Sequence, residues 1–322
     1  MIDKQFKNLE EQIEILKYKG MTINDEDYAK KILLRENYFF LSGYRYPFMR
    51  SDKDKHFLDG VTFEEMYSLF LFDRAIRNVF FKYLLVIENN LKSIFSYQLS
   101  KKYGYKDKYY LRSKNFTNDK SKQKQVNDLI KKVKRQIRIN GSKHTATAHY
   151  MSNYGYVPFW ILVKVLSFGI VGELFSIMKY DDQVNICKIY DIPLDEFSSY
   201  LPILSNYRNL CAHEDILYEN RSQKKIKGTK FHEILGISKD EEGEYVKGTD
   251  DLFALLIIMK RMLSYEEFKD MSLELEKRID NLEYNLHSIK IDKILERMGF
   301  PNNYMTLANI ERRDVNDESR EN

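Results

Sequence analysis

The stretch "TFEEMYSLFLFDRAIRNVFFKYLLVIENNLKSIFSYQLSKKYG", residues 62–104, limits the possible folds more than any other. Phe63, Met66, Tyr67, Phe70, Leu71, Ala75, Val79, Leu84, Ile87, Leu91, Ile94 and Phe95 recur every three, four or five positions, the period of a helix and not of a strand. The spacing predicts one long helix, broken at most once, opened by a Thr62–Glu65 capping box and closed by Gly104. Its apolar stripe is broad, so the helix belongs at the centre of a bundle. Composition agrees. Thirteen glycines and five prolines in 322 residues are few for a turn-rich all-β chain, and 43% hydrophobic residues can fill a core. The expected fold class is all-α.

The remaining segments fit that frame. Phe6, Leu9, Ile13 and Leu16 predict a helix over residues 5–19 that stops at Gly20, and Asn24 is placed to cap a second one. "YFFLSGYRYPF" reads as a packed, irregular connection, because Pro47 pushes Tyr46 out of the helical region. "KQKQVNDLIKKVKRQIRIN" is a basic amphipathic helix, and "GSKHTATAHYMSNYG" reads as a flexible loop. "VPFWILVKVLSFGIVGELFSIMK" predicts two short helices meeting at Gly169, and "PLDEFSSYLPILSNYRNLCAH" another helix. Residues 224–249, with four glycines and many charges, suggest a loop or small hairpin insertion; "LFALLIIMKRML" and "LELEKRIDNLEYNL" are again helical. The expected organisation is an N-terminal helical segment (1–60) packed on the core, a main helical domain (61–300) and a frayed tail (301–322).

A net charge of +4 conceals a polarity along the chain. Between Lys101 and Arg138 there are 14 Lys or Arg against 3 Asp; from Lys239 to the end there are 13 basic against 20 acidic residues. The basic segment, with Lys101, Lys102, Lys131, Lys132, Lys134, Arg135 and Arg138, is suited to a polyanion such as RNA, although charge runs are also ordinary solvated faces. The acidic part is either a partner surface or simply solvated. The two cysteines, Cys187 and Cys211, lack metal or disulfide spacing, and no apolar run approaches the roughly 18 residues that span a bilayer. A cytoplasmic protein with no membrane contact is the expectation. No HExxH, GxxxxGK[ST] or cysteine–histidine cluster is present, so no metal or cofactor is expected.

One stretch carries chemistry: "NYRNLCAHEDILYENR", residues 206–221. An arginine followed by a histidine five or six positions later occurs three times, as Arg50–His56, Arg138–His144 and Arg208–His213, so spacing alone decides nothing. The first two fall in a polar loop and across an Asn140–Gly141 helix exit. The third lies on a helix anchored by Phe197, Tyr200, Leu201, Leu204 and Leu210. There Asn209 and His213 stack on one face, with Arg208 about 100° to the side. Cys211 and Ala212 are small and would leave the neighbourhood open. Histidine can accept and donate a proton near neutral pH, and an arginine fork can stabilise charge on a phosphorus being attacked. One histidine supplies an acid or a base but not both at once, which favours a symmetric dimer with a shared cleft. The ordinary structural alternative has His213 closing the helix end while Arg208 pairs with Glu214 or Glu219. Asp73, Arg74, Arg77 and Glu88 also require partners, because they sit on a helix meant for burial. They read as a salt-bridge network to the motif helix, or as side chains that orient Arg208 and His213.

"RNLCAHEDILYENR" resembles the R-N-x-x-A-H signature of the HEPN superfamily, in particular its Abi-like proteins of the AbiD/AbiF type from bacterial abortive-infection systems. "KILLRENYFFLSGYRYPF", "LFLFDRAIRNVFFKYLLVIENNLKS" and "VPFWILVKVLSFGIVGELFSIM" resemble three further family blocks, in the family's order, over residues 31–221 in all. Lys92 stands where the family more often has arginine, and residues beyond about 260 match less clearly. The resemblance implies an all-helical HEPN-type bundle and a metal-independent endoribonuclease acting in phage defence or as a toxin-like effector. Arg208 and His213 would be its catalytic pair and Asn209 their polar neighbour, giving a 2′,3′-cyclic phosphate and a 5′-hydroxyl. A non-catalytic module holding a small non-coding RNA is the rival. An antitoxin partner is compatible with either.

Overall fold

The computed structural model describes residues 5–51 and 53–310. Among them are sixteen α-helices and no strand, so the all-α expectation holds. Helices α1 (Leu9–Tyr18), α2 (Glu26–Glu36) and α3 (Tyr38–Ser42) lead through a 3-10 turn, Gly43–Phe48, into the long helix α4 (Phe63–Tyr103). Asn8 caps α1 through a box with Glu11, so this helix starts later than its apolar spacing suggests. Asp25, not Asn24, caps α2. Helix α4 is unbroken over 41 residues, about 60 Å, and ends at Gly104 in the left-handed region at φ +87°.

Only half of the expected capping box at the start of α4 forms. Thr62 accepts from the Glu65 N–H, but the Glu65 carboxylate turns away into the core. There its Oε1 accepts from the N–H groups of His287 and Ser288 and from the Ser288 hydroxyl. A tertiary set of donors has displaced the local one, and the start of α4 is tied to a segment more than 200 residues away.

After α4 come α5 (Asp107–Tyr110), α6 (Gln123–Asn140), α7 (Thr145–Tyr154), α8 (Phe159–Leu162), α9 (Phe168–Ile177), α10 (Tyr180–Tyr190) and α11 (Leu194–His213). The segment expected to be a flexible loop is therefore mostly α7. The His144 imidazole caps it, but Thr147 is its single buried side chain, which is why no apolar period betrayed it. The break between α8 and α9 falls at Leu166, and Ser167 caps α9, so Gly169 lies inside a helix rather than at the junction.

The last third contributes α12 (Lys230–Ile234), α13 (Leu252–Met262), α14 (Tyr265–Asn285), α15 (Ile291–Arg297) and α16 (Thr306–Asn309). Every residue of α13 is buried, Lys260 and Arg261 included, and α4 packs against α14, α11, α13, α8 and α10. A helix that is apolar all round belongs in a core, and so the acidic C-terminal part contains the centre of the bundle rather than only a solvated face. A single hydrophobic cluster runs from Ile13 to Ile310. The expected insertion holds α12 and one antiparallel bridge, Lys239–Tyr245, pinned by His232 between Thr229 and Gly248. The tail expected to fray from 301 is packed as far as Ile310, through Leu307 of α16; residues 311–322 lie outside those described.

Candidate functional site

Helix α11 opens with Asp195 and Glu196 and ends on His213, charges that suit the two ends of its dipole. Phe197, Tyr200, Leu201, Ile203, Leu204, Tyr207 and Cys211 form its buried face. Glu214 takes the left-handed conformation at φ +59° and its N–H returns to the Leu210 carbonyl, which stops the helix without a glycine. Asn209, Ala212 and His213 are left exposed on one side. Cys211 does not open the neighbourhood as its size suggested. It points into the core, where burial pushes its thiol up to about 12.

Arg208 does not pair with Glu214 or Glu219. Its Nε donates to Glu88 of α4 at 2.9 Å, and its guanidinium carbon lies 6.0 Å from the centre of the Phe81 ring. The buried Glu88 uses its second oxygen to accept from Lys92 at 2.7 Å, so one carboxylate joins two cations. The Arg208 side chain remains 29% exposed, and its two Nη groups have no hydrogen-bond partner among the described residues. A guanidinium fixed at Nε with both Nη groups unpartnered among the described residues can receive an oxyanion. His213 likewise has no hydrogen-bond partner among those residues.

The other helix charges divide between two tasks. Buried Asp73 accepts from the N–H groups of Leu217 (3.1 Å) and Tyr218 (2.7 Å) and from the Tyr44 hydroxyl (2.8 Å). Arg77, 3.4 Å from that carboxylate, donates to the Asp215 carbonyl. Burial pushes the Asp73 carboxyl up, yet every one of these partners is a donor and the carboxylate form satisfies them all. Together Asp73 and Arg77 hold the turn that follows His213. Arg74 points elsewhere, to Glu36 of α2 at 2.7 Å and over the Phe70 ring. The other two Arg–His matches come apart, since Arg50 pairs with Asp59 and His56 with Asp54, and His144 caps α7.

Of the basic residues, Lys131, Lys132, Lys134, Arg135 and Arg138 share the exposed side of α6. Lys132 pairs with Glu173 of α9 at 2.7 Å and Lys131 lies 3.8 Å from Asp128, whereas Lys134, Arg135 and Arg138 have no ion pair among the described residues. Lys102 is bound to Asp182 beside Tyr103; Lys101 is exposed at the end of α4. A groove of about 590 Å³ between α9 and α11 reaches from Lys122, at the start of α6, to Asn206 and Asn209. Its ends are Lys122, just before α6, and Asn209, four residues before His213; Glu173, which also lines it, pairs with Lys132 of α6. Spacing had not singled out Lys92 as a partner of Glu88, although the two stand four apart. Tyr44 and the α9 residues of the groove gave no local signal.

Among the described residues no helix is long and apolar enough to cross a membrane. Comparison with curated proteins gives no match, and neither does comparison with solved structures. The profile of the family described as Abi-like protein matches residues 31–219, more than half of the chain. That span takes in the second half of α2 and all of α4 and α11, with every contact drawn between them above. The chain belongs to the Abi-like protein family, named for abortive infection, a form of phage defence.

Proposed function

We propose that the protein is a HEPN-type endoribonuclease that cuts RNA without a metal, as an abortive-infection effector. The observation that carries this reading is the exposed end of α11. Arg208 is held at Nε by a buried carboxylate and is 29% exposed, and its Nη groups, Asn209 and His213 have no hydrogen-bond partners among the described residues. Arg208 would stabilise charge on the attacked phosphate, His213 would move the proton, and Asn209 would position an oxygen. The substrate supplies its own nucleophile, the 2′-hydroxyl. The exposed cations of α6, and the groove that runs from Lys122 to Asn209, would bring the backbone in.

A single histidine per site fits a dimer in which each copy lends its own. Exposed Phe39 and Phe40 lie on α3, and the turn that follows packs at Gly43 against Ile216, three residues after His213. An apolar patch beside the site is where a second copy would settle. The test is incubation of purified protein and its His213→Ala variant with bacterial RNA in EDTA, mapping new 5′ ends. Loss of an acid–base group lowers the rate by about 10²–10⁴. Equal cleavage by the two proteins would end the proposal. So would an absence of cleavage by the parent, which leaves the RNA-holding module as the reading.

A further inference from the structure

The chain's one tryptophan is not in the core. Trp160 is 44% exposed, Tyr105 45% and Tyr97 63%, in a protein whose other large rings are mostly buried. These three wall a groove of about 480 Å³ at the C-terminal end of α4, with Lys101 at its rim. Its floor is made by small side chains of α4, among them Ser96 and Ser100. The Ser100 hydroxyl is buried and has no partner among the described residues. The rings continue beyond the groove. Tyr105 lies 6.2 Å from Trp160 and 5.7 Å from Tyr156, which is 6.1 Å from Tyr154 of α7. The Lys106 ammonium sits 5.0 Å from the centre of the Tyr156 ring, and Lys101 lies 5.9 Å from that of Tyr97.

Exposed rings in a row with cations between them match the chemistry of unpaired nucleobases on a sugar–phosphate backbone. Each base offers a π-face to a ring, and the ammonium groups meet the phosphates. Trp160 stands on α8 and Tyr97 on α4, so helices rather than a mobile loop hold two of the three rings at the groove. A duplex keeps its π-faces stacked inside and cannot use the rings. We infer that the groove of Tyr97, Tyr105 and Trp160 is a stacking platform for single-stranded RNA. Tyr97 lies nine residues beyond Glu88, about 13 Å along α4 and half a turn round it. The platform therefore holds bases away from His213, and it extends the proposed function by naming unpaired RNA as what the protein grips.

Trp160 reports directly on the test, because a stacked base quenches indole emission. The full-length His213→Ala variant, which leaves the RNA uncut, is titrated with a ten-nucleotide oligouridylate, with the same oligomer lacking its bases, and with a ten-base-pair RNA duplex. The oligouridylate is expected to quench Trp160; the abasic oligomer and the duplex are not. Tyr97→Ala should weaken binding about five- to hundredfold and Tyr97→Phe should restore it. Tyr97 is exposed, so unchanged melting of both variants is expected and separates lost stacking from lost fold. Equal quenching by all three ligands, no quenching at all, or full affinity in Tyr97→Ala overturns the inference. The readout is fluorescence and not cleavage, so its failure and failure of the nuclease reading stay distinct.

Discussion

Replacing Glu88 by glutamine keeps the shape of the side chain and removes the one negative charge shared by Arg208 and Lys92. Both cations would lose their counter-charge, and Lys92 is buried. Breaking a buried pair from one side costs about 3–5 kcal/mol, since the surviving charge is stranded. Arg208, being 29% exposed, regains part of this from solvent. The expected loss is therefore about 2–3 kcal/mol. At about 2.1 cal/mol/K of unfolding entropy per residue, that lowers the Tm of a 322-residue chain by about 3–4 °C. The decisive form of the experiment is a double-mutant cycle in urea. Lys92→Met together with Glu88→Gln removes one stranded cation along with the charge that held it. The double variant should thus be more stable than the two single losses added together, by about 1–2 kcal/mol. Strict additivity within about 0.5 kcal/mol would refute the view that one carboxylate binds both cations.

Three further outcomes follow from contacts already described. Gly299→Ala should prevent folding or leave an insoluble chain, because a Cβ there would meet the Asp251 carboxylate at 2.0 Å in a backbone at φ +79°; a soluble variant with a parental melt would contradict it. His232 accepts from the Thr229 N–H at Nδ1 and donates from Nε2 to Gly248, and burial holds its pKa below the ordinary value. Its contribution is full above about pH 6.5, the unfolded value, and is lost as the pH falls below that toward the folded one. Limited proteolysis within 224–249 should accordingly quicken between pH 7.5 and pH 5, and a flat profile would exclude His232 as the pin. Cys187 and Cys211, each pushed by burial up to about 12, should both resist a thiol reagent at pH 8 until the protein is unfolded; prompt reaction of either would show an open site.

How far the chain could be read depended on whether a residue's partner was near in sequence. The run from Phe63 to Tyr103 announces itself by period and by a terminal glycine, and the uniformly apolar 252–262 announces a buried helix. Helix α7 escaped because it packs lightly and so has no stripe. Glu65 was misread because a threonine three residues earlier is a sufficient local explanation, and only the folded chain brings Ser288 close. The same holds at the site. Arg208, Asn209 and His213 stand out as a group on one helix, but the Glu88 that orients Arg208 is 120 residues away. The surface interpretation with Glu214 or Glu219 was the natural local guess. Arg74 and Arg77, three apart on α4, look equivalent in sequence, yet Arg74 pairs with α2 and Arg77 with the turn after α11.

The position of α13 has a consequence for timing. The family's span closes at residue 219, yet α11 rests on α13 and α4 on α14, both from the last third of the chain. Tyr207, one residue before Arg208, donates to the carbonyls of Asn220 and Asp250. At roughly 5–20 residues per second, synthesis from His213 to about residue 300 takes roughly 4–17 s. Throughout that interval α11 can pack on α4, α9 and α10, but it lacks α13 and the Asp250 carbonyl that Tyr207 reaches. The part of the chain made last thus completes the support of α11, and until then Arg208 and His213 stand on a helix that lacks one of its packing partners.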